Sequence, residues 1–113
     1  MTIILVDSDK KLNNLLSKIE EFSQIGLDTE FIRESTYRPI LALIQISLPN
    51  DEIYLIDPKE IKDKSGLSKM LSDGRIMKII HSAKQDLEAL YSYTDNFLCN
   101  IFDTQIAFNF LSE

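Results

Sequence analysis

"LALIQISLPNDEIYLID", residues 41–57, holds two apolar runs with four residues between them. "LALIQIS" (41–47) and "EIYLID" (52–57) read as strands, and "LPND", with Pro49 and Asn50, reads as a turn. Four residues leave no room for a helix, so the two strands are expected as antiparallel neighbours. Upstream, "IGLDTEF" (25–31) reads as a third strand, joined to them by the polar stretch "IRESTYRP" (32–39), which is also too short for a crossover. An antiparallel meander of three strands follows.

On either side of the meander the pattern changes. "TIILV" (2–6) is a β-branched strand, and Ser8 is placed to cap a helix with Asp9 in its first turn. Leu12, Leu15, Leu16, Ile19 and Phe22 recur at helical spacing, which predicts an amphipathic helix over about 9–23. Beyond the meander, Leu67–Ser72 is a short helix ending at Gly74. "IMKIIHS" (76–82) is a buried-type strand, and "AKQDLEALYSY" (83–93) is a helix with Leu87, Leu90 and Tyr91 on one side. "NIFDT" (100–104) is another strand and "QIAFNFL" opens another helix. A meander followed by alternating strand and helix predicts one α/β domain over 1–113, a mixed sheet with a parallel half flanked by helices. Ligands of such sheets gather at strand ends near the change of strand order.

Composition sets the outer bounds. Hydrophobic residues make up 44% of the 113 and charged residues 27%, the balance of an ordinary globular protein. No apolar run approaches the roughly 18 residues of a membrane span, and no basic stretch leads into an apolar signal core. Cys99 is the single cysteine, which excludes an internal disulfide, points to a reducing cytoplasm, and is expected as a small buried hydrophobe. The net charge of −6 argues against a broad basic surface for duplex nucleic acid. It leaves room for an enzyme that holds a few nucleotides through metal ions, which neutralise acids where lysines do not.

Asp28 and Glu30 supply the sharpest chemical question. Residues at i and i+2 of a strand point to one face, so the two carboxylates lie side by side and repel. Either both stand in solvent at a loop edge, or a shared cation removes the penalty. Asp86 lies in the first turn of the helix after "IMKIIHS", and a neighbouring strand would bring this third carboxylate over the same strand end. Three hard oxygen ligands suit Mg²⁺ or Mn²⁺; with one histidine and one cysteine, zinc is nearly excluded. His81, at a strand end, is expected either core-packed or edge-exposed, with packing favoured over catalysis.

"IGLDTEF", "YRPILALIQIS", "IYLIDP", "KIIHSAKQDLEAL" and "FDTQIA", in this order, resemble the ribonuclease D family. These are 3′-to-5′ exoribonucleases of the DEDD superfamily with a ribonuclease H-like fold. The resemblance runs from about residue 2 to the end of the chain. It matches Asp28 and Glu30 to the family's first motif and Asp86, in "HSAKQD", to its second. The third motif, a tyrosine and a final aspartate, lies beyond where this chain stops. Tyr93 has Phe97 four residues on; Tyr91 has Asp95, but in the wrong helix, and is expected to pack in the core. Asp103 is expected to cap the helix from Thr104.

The resemblance implies catalysis with two divalent ions, Mg²⁺ or Mn²⁺: Asp28 bridging them, Glu30 on the nucleophile side and Asp86 on the other. The backbone at Thr29 and Phe31 would meet the terminal nucleotide, Phe31 by stacking, with a core role for Phe31 as an equal alternative. The implied substrate is the 3′ end of single-stranded RNA, tRNA precursors among them. A complementing C-terminal segment is a further implied partner, and the 113 residues alone are expected to be a poor exonuclease. Two other readings compete. A phosphoacceptor receiver domain would use Asp7 and Asp9 as metal acids and Asp57 as the phosphorylated residue, but no lysine follows Lys84 and "LPND" admits no helix. A non-catalytic fragment or interaction domain needing a partner segment is the third.

Overall fold

A computed structural model of the chain describes residues 1–33, 39–81 and 83–111. The chain runs β1 (Thr2–Val6), α1 (Asp9–Ile19), β2 (Gln24–Arg33), β3 (Pro39–Ser47), β4 (Glu52–Ile56), a 3-10 turn (Pro58–Glu60), α2 (Ser65–Leu71), β5 (Met77–Ile80), α3 (Ala83–Thr94), β6 (Ile101–Asp103) and α4 (Thr104–Leu111). Most of the polar stretch between β2 and β3 lies outside the described residues.

Six strands form one sheet in the order β1-β4-β3-β2-β5-β6. β3 is antiparallel to both β2 and β4, as the short connections require. β5 and β6 extend the sheet in parallel beyond β2, and β1 pairs in parallel with β4 at the opposite edge. This is the mixed sheet of a ribonuclease H-like fold. The Leu48–Asp51 turn closes through the Asp51 N–H to the Leu48 carbonyl (3.2 Å), with Asp51 in the left-handed region at φ 68°. The Asn50 side-chain oxygen accepts from the Glu52 N–H (3.1 Å), fixing the turn by the local bonding that favours asparagine there.

The helix-facing side of the sheet is the core. Leu12, Leu15 and Ile19 of α1 and Leu67 of α2 pack on Leu27, Ile44, Ile46 and Ile56, all buried. Ser8 caps α1, its hydroxyl accepting from the Lys11 N–H (3.2 Å). α1 ends at Ile19 rather than near residue 23. The Glu21 and Phe22 N–H groups bond three residues back, to Lys18 and Ile19, and this tighter winding ends the helix. Phe22 still packs against the core from outside the helix. Gly66 lets α2 approach α1 closely: a Cβ there would stand 2.7 Å from Leu16 Cδ1. Lys78 is fully buried in β5, its Nζ donating to the carbonyls of Asp73 (2.7 Å) and Cys99 (3.2 Å). Burial holds its ammonium below the usual lysine range.

Two packing expectations fail. Cys99 is exposed in the loop after α3, where its N–H bonds the Leu71 carbonyl (3.1 Å) and its thiol is left outside the core. His81 takes the edge-exposed of its two expected places, just past the end of β5. Tyr91 is 41% exposed and stacks on Phe97 at 4.7 Å, because α3 buries Ala83, Asp86 and Leu90 and carries Tyr91 about 100° away from Leu90. Tyr93 turns inward instead, and its hydroxyl donates to the Pro58 carbonyl (2.6 Å).

The receiver reading fails on the same geometry. Asp7 is paired with Lys11 (2.8 Å), and Asp9 accepts from the Lys62 N–H (2.8 Å), so the two do not form an acid pair. No helix separates β3 from β4. Among the described residues, no helix is long and apolar enough to cross a membrane.

Candidate active site

β2 lies between β3 and β5, and its alternation sorts the residues at its end. Ile25, Leu27 and Thr29 are buried toward the helices, whereas Asp28 and Glu30 are exposed on the opposite face. Asp28 pairs with Gln45 and Glu30 with Leu43 across the antiparallel ladder. The register then slips: Phe31 faces Leu41, leaving Ala42 as the extra residue of a bulge. The two acids therefore occupy the last regular positions before the strand pair bends. Asp28 Oδ1 accepts from the Thr29 N–H (2.9 Å), which orients that carboxylate.

Asp86 arrives from the other side. It sits in the first turn of α3, 7% exposed, and the Thr29 hydroxyl donates to its Oδ1. Burial raises its pKa above the ordinary carboxylate range; the Thr29 bond pulls it down, and the charges of Asp28 and Glu30 push it up. The three acids sense one another, with Thr29 as the link between strand and helix. They do not close on a point: among the described residues, no three His, Cys, Asp or Glu side chains stand close enough to hold a metal ion between them. The donor set fits Mg²⁺ or Mn²⁺ in kind, since all three groups are hard carboxylate oxygens. As placed, Asp28 and Glu30 form the open pair, and Asp86 stands behind it.

Thr29, expected to offer its backbone to a nucleotide, spends its side chain on Asp86. Phe31 is half-buried opposite Leu41. Asp103 caps α4 as expected, its Oδ1 accepting from the Gln105 N–H (2.9 Å). It also does what the sequence did not reveal: Oδ2 accepts from the Ala83 N–H (2.8 Å), so one carboxylate caps the helix that carries Asp86 as well. A cavity of about 390 Å³ opens beside Asp28, lined by Gly26, Ser47, Ile79, His81 and Thr104 among others. A larger apolar cleft of about 990 Å³ between α3, β6 and α4 contains none of the three acids.

Comparisons with known proteins bear on the family and the fold. A family model described as 3′-5′ exonuclease matches residues 3–113. Ribonuclease D of Desulfotalea psychrophila is 42% identical over 106 residues, covering 94% of this chain and 28% of its own length. Ribonuclease D of Escherichia coli is 37% identical over 106 residues, again covering 94% of this chain and 28% of its own. The crystal structure of Escherichia coli RNase D, described as an exoribonuclease involved in structured RNA processing, superposes with a TM-score of 0.93 at 35% identity. That superposition covers 100% of this chain and 30% of that one. The chain thus spans about 28% of the length of these curated relatives. A strand ending in two exposed carboxylates, a helix delivering a third, and a family match over nearly every residue lead to one assignment: the chain belongs to the 3′-5′ exonuclease family and is similar to ribonuclease D.

Proposed function

We propose that this chain forms part of the nuclease centre of a cytoplasmic 3′-5′ exoribonuclease, with Asp28, Glu30 and Asp86 as ligands for two divalent ions. The observation that carries the reading is the placement of Asp28 and Glu30 on one open face with Asp86 tied to Thr29 between them. Bound Mg²⁺ or Mn²⁺ supplies Lewis acidity and a nucleophile at neutral pH. The residues do the rest. Asp28, oriented by the Thr29 N–H, and Glu30 hold the ions at the strand end, and Thr29 fixes the direction from which Asp86 joins them. The RNA 3′ end, that of tRNA precursors among them, lies against this face, and the backbone at Thr29 and Phe31 borders the terminal nucleotide.

The reading includes a complementing segment, the family's tyrosine-and-aspartate motif, in cis or in trans. It is supported by the resemblance to ribonuclease D, whose third motif supplies the tyrosine and the final aspartate. The test is trimming of 5′-end-labelled single-stranded RNA in Mn²⁺, with and without that segment. A ladder shortening one nucleotide at a time from the 3′ end, stronger with the segment and absent in Asp28→Asn, is the expected result. Internal cleavage, or trimming that survives Asp28→Asn, would refute it.

A further inference from the structure

The cavity beside Asp28 contains a group that the three-acid chemistry does not use. Gly26 pairs with Ser47 on one side and Ile79 on the other, so these three share a face. Two residues further along the β2–β3 ladder, Asp28 and Gln45 return to that face, and His81 and Thr104 follow directly after the ends of β5 and β6. Asp28, His81 and Thr104 accordingly line one cavity. Gly26 keeps its floor low, since a Cβ there would stand 3.2 Å from Ser47 Cβ.

Within this cavity the imidazole is held but not used up. His81 Nδ1 lies 2.9 Å from the Thr104 hydroxyl, while Nε2 has no hydrogen-bond partner among the described residues. Among the described residues, no lysine or arginine lines the cavity, and Asp28 is its single acid. A phosphate arriving there, on a chain of net charge −6, meets a carboxylate that repels it until a cation intervenes. It also needs a donor that is not an acid.

We propose that His81 is a substrate-binding residue of this site, donating from Nε2 to a phosphate oxygen of the nucleotide seated against Asp28. The inference rests on the nuclease reading and adds a residue to it. In this proposal the Thr104 hydroxyl donates to Nδ1, which leaves Nε2 to donate to phosphate. Thr104 is then a positioning residue, acting through the ring.

His81 is the single histidine, so its ring ¹⁵N signals identify themselves. Titration of the labelled chain with adenosine 5′-monophosphate in Mg²⁺ is expected to move the Nε2 resonance. Affinity should fall about tenfold in His81→Ala, the scale of one lost hydrogen bond to a charged group, and much less in His81→Gln, which keeps a donor. Adenosine, lacking the phosphate, should bind wild type and His81→Ala alike. Nucleotide affinity that falls in Asp28→Asn but not in His81→Ala would overturn this inference and leave the nuclease reading standing. Failure of Asp28→Asn to weaken metal-dependent nucleotide binding would overturn both.

Discussion

The Thr29 hydroxyl donates to Asp86 Oδ1, joining residues 57 positions apart from opposite sides of one strand end. Asp28 and Glu30 flank Thr29 in sequence but face the other way. The bond therefore converts strand alternation, which separates a residue from its neighbours, into a connection between all three acids. Thr29→Val removes the hydroxyl at nearly constant shape and leaves a buried carboxylate without that donor. It should destabilise the fold by about 1–3 kcal/mol and raise the Asp86 pKa further, because the lost bond favours the ionised form. Urea denaturation and a ¹³C carboxyl titration measure the two effects; Thr29→Ser should largely restore both.

Asp86 carries a stability cost of its own. Its folded pKa lies above its ordinary 3.8, chiefly through burial. The stability linked to its proton is therefore complete below pH 3.8 and is lost as pH rises through the raised folded value. At neutral pH the ionised side chain weighs against the metal-free fold. Asp86→Asn should raise metal-free stability by about 1 kcal/mol, the ordinary size of a stabilising point change. The gap between variant and wild type should open from pH 4 upward, and saturating Mn²⁺ should reverse the order, since an ion repays the charge only in the wild type. Thermal melts at pH 3.5 and 7, with and without Mn²⁺, test all three signs.

Metal affinity separates the open pair from its surroundings. Asp28→Asn should weaken Mn²⁺ binding at least about tenfold in a calorimetric titration, removing a charged ligand and leaving Glu30 alone on that face. Asp7→Asn should leave it unchanged, because Asp7 is engaged with Lys11 on β1's side of the sheet. Equal affinity in wild type and Asp28→Asn would remove Asp28 from the site.

Tyr93 offers a spectroscopic test of how α3 sits. Burial first, then the charges of Asp57 and Asp9, push its phenol up to about 12. Tyr93 should therefore give a late step in an alkaline absorbance titration, and that step should vanish in Tyr93→Phe. The variant should lose about 1 kcal/mol, since the Pro58 carbonyl loses its donor.

Much of this arrangement was legible in the residues. Four residues between β3 and β4 left only an antiparallel pairing, and the run of strand–helix units after them left only parallel additions. The parallel docking of β1 on β4 was not legible, because "TIILV" is apolar throughout and carries no alternation to say which residues face inward. The buried side of α3 was only partly legible. Leu87, Leu90 and Tyr91 were read as one side of the helix, whereas its buried residues are Ala83, Asp86, Ala89 and Leu90, with Tyr91 at the surface and Tyr93 turned toward Pro58. Cys99 was expected inside on residue type alone, and His81 was left between a packed and an edge-exposed place at its strand end. Their exposure follows from where β5 and α3 end, which residue type does not record.

Asp103 gives the site a dynamic unit larger than any single helix. One of its oxygens accepts the Ala83 amide that opens α3, and the other accepts the Gln105 amide in the first turn of α4. Neither helix can fray at its start without freeing the carboxylate that restrains the other. The two starts should therefore open as one foldon, with the Ala83 and Gln105 amides exchanging with solvent deuterium at matched rates. Asp103→Ala should speed both together. Because Asp86 rides one turn into α3, what steadies or loosens α4 can reach the third carboxylate through this shared cap.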